Sequence, residues 1–115
     1  MCPAETDEDP WDALSPRGLA ARLRDGRGPI LIDVREPFEW RISQLPDAHL
    51  IPLAELPDAV GSLDPLADYV VYCHHGLRSA AAVAWLRARG FERVRNLTGG
   101  IDRWSLEVDP TVRRY

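Results

Sequence analysis

The chain has 115 residues, enough for one domain with one ordinary hydrophobic core. It is 45% hydrophobic and 28% charged, and no apolar run approaches the roughly 20 residues of a membrane-spanning helix, so a helical membrane protein is excluded. Its net charge of −4, with every one of its 14 basic residues an arginine against 18 acids, argues against broad phosphate-backbone binding, and no nucleic-acid or membrane partner is expected.

Residues 1–10 lack the basic flank and apolar stretch of a secretory signal. With Glu5, Asp7, Glu8 and Asp9 they read as a solvated, disordered tail, leaving 11–115 as a single domain. Ser15-Pro16 starts a helix, serine as N-cap and proline at the first helical position. Leu19 and Leu23, four apart, put one face of it inward, and Asp25-Gly26 and Gly28-Pro29 end it. Ile30 to Val34 is an apolar run between turn signals, suited to a strand buried on both sides. Residues 35–46 are expected to wrap around the sheet, His49 to Leu53 to form a short strand, and Pro57 to open a short helix reaching Leu63.

Tyr69 to Cys73 is the strongest strand signal, β-branched and aromatic throughout. A tight loop follows, then an alanine-rich helix from Ser79 to Arg89 closed by Gly90. Val94 to Leu97 is a last strand, and Gly99-Gly100 permits a sharp turn into a short helix carrying Ile101 and Trp104. Alternating strands and helices predict an α/β fold: a mostly parallel central sheet of about five strands with helices on both faces.

Two cysteines, Cys2 and Cys73, cannot make a disulfide framework, which points to a reducing, cytoplasmic setting and leaves Cys73 to be explained by itself. Cys73 falls at the carboxyl end of a strand, where open α/β folds bind ligands. The loop after it, His74-His75-Gly76-Leu77-Arg78-Ser79, feeds a helix N-terminus whose free N–H groups favour an anion, and a thiolate is one. Arg78 adds a positive charge, and Gly76 lets the backbone curl so that several N–H groups face one centre. These features favour the thiolate, the form of cysteine that is nucleophilic. The plainer alternative is that Cys73 is a small buried hydrophobe ending a strand.

Three segments, covering roughly residues 12–107, together resemble the rhodanese-like (sulfurtransferase) family. Leu31 to Trp40 is similar to its DVRE-P-x-E-[WF] box. Cys73 to Ser79 fits C-x-x-G-x-R-S, and Leu97 to Trp104 resembles the GG-x-x-x-W box. One departure is at Gln44 to Ala48, where the family usually has His-Ile-x-Gly-Ala; Asp47 tolerates the left-handed geometry such a turn needs. The resemblance implies a rhodanese-type fold and a sulfurtransferase using no metal or organic cofactor. Cys73 would take a sulfane sulfur from thiosulfate or a protein persulfide and pass it to a thiophilic acceptor. His74, His75, Gly76, Leu77, Arg78 and Ser79 would form the persulfide cradle and substrate-binding loop. Only four residues separate Cys73 from Arg78, against the five of relatives that handle phosphate or arsenate, and this tighter cradle suits a single sulfur atom.

Asp33 and Arg35 are expected to support the site as a structural ion pair. His74 and His75 either line the pocket mouth or are solvated; adjacent histidines on one short loop rarely share a metal, so no metal site is expected. Trp40, Trp85 and Trp104 read as packing residues. A second reading, a persulfide relay or docking module with little turnover of its own, follows from similarity to rhodanese domains fused to adenylyltransferases. Its partners would be a sulfur-carrier protein or a cysteine desulfurase.

Overall fold

The computed structural model describes residues 10–26 and 28–115; the expectations for Cys2 and for residues 1–9 of the acidic tail lie outside them. Five strands, β1 (Ala13–Leu14), β2 (Ile30–Asp33), β3 (His49–Leu50), β4 (Tyr69–Tyr72) and β5 (Val94–Leu97), form one sheet in the order β1-β5-β4-β2-β3. Every pairing is parallel. The helices are α1 (Pro16–Arg24), α2 (Pro37–Ile42), α3 (Leu56–Ala59), α4 (Leu77–Arg87) and α5 (Gly100–Glu107). Single 3-10 turns at Leu53–Glu55 and Val60–Ser62 flank α3.

The strand period of two sorts the core into halves. Leu31, Val70, Tyr72 and Leu97 pack with Leu19 of α1 and with Ile101 and Trp104 of α5. Ile32, Tyr69, Val71, Cys73 and Val94 point the other way, onto Leu56 of α3 and Ala82, Val83 and Leu86 of α4. Both faces of β4 are therefore sealed, which is why its sequence is apolar without a break.

Several expectations are corrected. Ala13–Leu14, too short to show a period, adds the fifth strand by pairing with Asn96 and Leu97. Residues 37–42 form a helix, set by a capping box between Glu36 and Glu39 with Pro37 in the first turn. Leu23 is 37% exposed while Leu19 is fully buried: the inward face of α1 runs through Pro16, Leu19 and Ala20. Helix α4 begins at Leu77, two residues before Ser79, so Arg78 and Ser79 stand in its first turn. The turn at residues 44–48 does place Asp47 at φ 60°.

Candidate active site

Cys73 directly follows β4 and is 1% exposed. Gly76 takes φ 101°, a left-handed conformation that turns the chain at once into α4. The turn brings three groups onto the cysteine sulfur. The Gly76 N–H donates to Sγ at 3.1 Å, the Ser79 N–H donates at 3.4 Å, and Ser79 Oγ lies 3.3 Å away. These amides belong to the orphan donors at a helix start, here collected on one sulfur.

The loop is held from a second side by α5. The Ile101 N–H donates to the Cys73 carbonyl at 2.9 Å and the Asp102 N–H to the His74 carbonyl at 3.1 Å. This approach requires Gly100: a Cβ there would stand 2.5 Å from the Cys73 carbonyl oxygen and 2.4 Å from that of His74. Asn96 of β5 gives a third hold, its Nδ2 donating to the Gly76 carbonyl at 3.1 Å while its Oδ1 accepts from Ser79 Oγ at 2.5 Å.

Arg78 is bound to α2. Its guanidinium donates to both Glu39 oxygens, at 2.7 and 2.8 Å. Glu39 also accepts from the Glu36 N–H at 3.0 Å and from the Tyr115 hydroxyl at 2.8 Å. Hydrogen bonding from Arg78 holds the Glu39 carboxyl down at about 2, against the opposing effect of burial. Tyr115 in turn accepts from Arg35 at 2.8 Å. Burial pushes the Tyr115 phenol up to about 12, so it stays a neutral donor.

Arg35 has no exposed surface and sits beyond the carboxyl end of β2, beside β4. It donates to Asp33 through Nε at 3.0 Å and Nη2 at 2.7 Å, and through Nη2 to the Ser43 carbonyl at 2.6 Å. Burial works against its charge, but the hydrogen bonds with Asp33 and Tyr115 outweigh it and leave its pKa raised. The expected Asp33–Arg35 ion pair is thus present, fully buried. It is one end of a chain of contacts running Asp33–Arg35–Tyr115–Glu39–Arg78.

His74 lies between two rings, 3.8 Å from Tyr115 at 7° and 3.8 Å from His75 at 27°. Burial, then the charge of His75, lowers its pKa and so favours the neutral imidazole. His75 and Leu77 are exposed rim residues, Leu77 82% so. His74, His75 and Asp102 offer one ligand atom each within 4.8 Å of one another. His75 Nε2 lies 3.9 Å from Asp102 Oδ2, and Asp102 accepts from Arg114 at 2.8 Å.

Of the residues expected in the loop, Gly76 and Ser79 contact the Cys73 sulfur, Arg78 turns to Glu39, His74 stacks on Tyr115, and His75 and Leu77 face outward; Asp33 and Arg35 stand at the end of the neighbouring strand β2. Glu39, Asn96, Tyr115 and Gly100 are additional positions that sequence reasoning did not assign to the site. The capping-box spacing of Glu36 and Glu39 and the Gly99-Gly100 pair were the signals for two of them.

Known proteins resemble this chain over most of its length. Residues 15–107 match the rhodanese-like domain family. A sulfurtransferase of Allochromatium vinosum is 35% identical over 99 residues, covering 86% of this chain and 92% of that protein. A protein of Mycobacterium tuberculosis named probable adenylyltransferase/sulfurtransferase MoeZ is 38% identical over 104 residues, 89% of this chain but 26% of its own length. The chain spans about a fifth to a third of several longer curated relatives that it matches. A crystal structure of a rhodanese-related protein from Thermoplasma volcanium superposes with a TM-score of 0.77 at 32% identity, over 85% of this chain and 94% of that one.

Proposed function

The chain belongs to the rhodanese-like domain family, and from that premise we propose that it is a sulfurtransferase carrying sulfur as a persulfide on Cys73. The observation that bears this reading is the convergence of the Gly76 and Ser79 N–H groups and the Ser79 hydroxyl on Cys73 Sγ. Such a cradle stabilises a sulfur anion at the site where it must act.

In the proposed cycle the Cys73 thiolate attacks the outer sulfur of a donor. With thiosulfate a new S–S bond forms to Cys73, the S–S bond of thiosulfate breaks, and sulfite leaves with its electron pair. With a protein persulfide the leaving group is the donor thiolate. Cys73 then carries a terminal sulfur, which an acceptor thiolate, or cyanide in an assay, attacks at that sulfur and restores the Cys73 thiolate. No outside oxidant or reductant enters the balance. His74, His75 and Leu77 line the approach, Arg78 fixes the loop through Glu39, and Asp33 with Arg35 supports the adjoining strand end. Thiol chemistry of this kind fits a reducing compartment such as the cytoplasm, and no helix among the described residues is long and apolar enough to cross a membrane.

Incubation with thiosulfate or a donor persulfide, followed by intact mass measurement, should add one sulfur that cyanide removes. Cys73→Ser should abolish the adduct while keeping the fold. Failure of the wild type to take up sulfur from small and protein donors alike rejects the reading.

A second reading has one observation in its favour: similarity to a relative named for both adenylyltransferase and sulfurtransferase activities. In it the chain relays persulfide sulfur between a cysteine desulfurase and a sulfur-carrier protein with little turnover of small donors. Slow uptake from thiosulfate beside rapid uptake from a desulfurase persulfide selects it.

A further inference from the structure

The hydrogen bonds around Ser79 do not add up if each is counted as a permanent donation. A serine hydroxyl has one proton. Ser79 Oγ lies 2.5 Å from Asn96 Oδ1 and 3.3 Å from Cys73 Sγ, so the hydroxyl can donate to only one of the two. The orientation of the Asn96 amide is fixed by its other end: Nδ2 faces the Gly76 carbonyl, an acceptor only, at 3.1 Å. Reversing the amide would set oxygen against oxygen there. Oδ1 must therefore face Ser79, where it can only accept, and the short distance gives it the hydroxyl proton. In this arrangement Ser79 Oγ turns a lone pair to the sulfur, and the contact at 3.3 Å is one in which the Cys73 thiol donates. When base removes the thiol proton, that contact sets a lone pair against a thiolate unless the hydroxyl swings from Asn96 to the sulfur.

We propose that Asn96 is a positioning residue that competes with the Cys73 sulfur for the Ser79 proton, and so governs how readily the nucleophile ionises. The thiol state keeps the hydroxyl on Asn96; the thiolate state recruits the hydroxyl and leaves Oδ1 without it. This deepens the reading of Cys73 as the nucleophile and rests on it for its functional meaning. The hydroxyl competition itself is independent of whether sulfur is transferred.

The test is a pH titration of Cys73, followed by thiolate absorbance and by the rate of alkylation with iodoacetamide, in a Cys2→Ser background. Asn96→Asp offers Ser79 a stronger acceptor and should move the midpoint of thiolate formation upward. One pH unit, a tenfold loss of thiolate below the midpoint, is the order expected from a hydrogen bond to a charged group. Asn96→Leu offers no acceptor, frees the hydroxyl for the sulfur and should move the midpoint downward. Both substitutions forfeit the bond to Gly76, so a purely structural role for Asn96 would move them the same way. Repeated with Ser79→Ala, the Asp substitution should retain only the part of its shift due to its charge. Shifts of equal sign, or an Asp shift undiminished without Ser79, overturn the proposal, and the second criterion stands even if the leucine variant does not fold. Sulfur uptake by the parent chain, measured in parallel, separates failure here from failure of the sulfurtransferase reading.

Discussion

Arg78, one residue before the cradle serine, commits two guanidinium nitrogens to Glu39, 2.7 and 2.8 Å away on a different helix. A cation beside a nucleophilic sulfur invites the interpretation that it binds the incoming anion. Here its strongest contact is with a carboxylate that is 6% exposed, and its effect on the loop is mechanical first. Removing it strands that carboxylate. Arg78→Ala should therefore destabilise the fold by about 2–4 kcal/mol. Arg78→Lys keeps the charge but loses the two-pronged geometry and should cost about 1 kcal/mol. Urea unfolding of the two variants measures both.

The same pair sets an acid limit. Glu39 is held at about 2 when folded, against the usual glutamate value when unfolded. Its folded form thus binds fewer protons, and the stabilisation is complete above about pH 5 and lost as pH falls towards 2. The linked free energy is on the order of 2 kcal/mol after allowance for the partly exposed arginine. Unfolding followed from pH 6 to pH 2 should show this loss, and Glu39→Gln should flatten it.

How much of this was legible beforehand depends on distance along the chain. The cysteine loop, the strand before it and the strand–helix alternation are local patterns, and so were readable. Glu39 lies inside the 31–40 segment, but its role comes from partners 39 residues away in Arg78 and 76 away in Tyr115. Asn96 likewise acquires meaning only when β5 is laid beside β4. Strand β1 has two residues and exists because β5 offers it an edge. Leu23 obeyed the helical spacing, but its position near the end of α1 carries it past the edge of the core.

Gly100→Ala should be among the most damaging small substitutions. It adds one methyl group within 2.5 Å of two carbonyl oxygens, at a residue whose φ is 66°. Backbone must move, and what moves is the Cys73–His74 segment. A loss of about 2 kcal/mol or more is expected, with sulfur uptake reduced further than stability alone accounts for. Thermal melting and the mass-shift assay, run side by side, separate the two effects.

Tyr115→Phe keeps the ring stacked on His74 but removes the hydroxyl that joins Arg35 to Glu39. A cost of about 1–3 kcal/mol is expected, because a buried guanidinium N–H loses its acceptor. Hydrogen exchange should report the opening first in residues 35–43, the segment that Arg35 ties down through Ser43.

The clamp of α5 on the Cys73 and His74 carbonyls bears on protein engineering. A seven-residue loop wrapped around a cysteine looks like a portable cassette, ready to be grafted onto any strand followed by a helix. Here two of the loop's carbonyls are held from outside the cassette, by amides that a second helix brings close through a residue with no side chain. A transplant lacking that glycine-led helix would carry the cysteine without the frame that aims it.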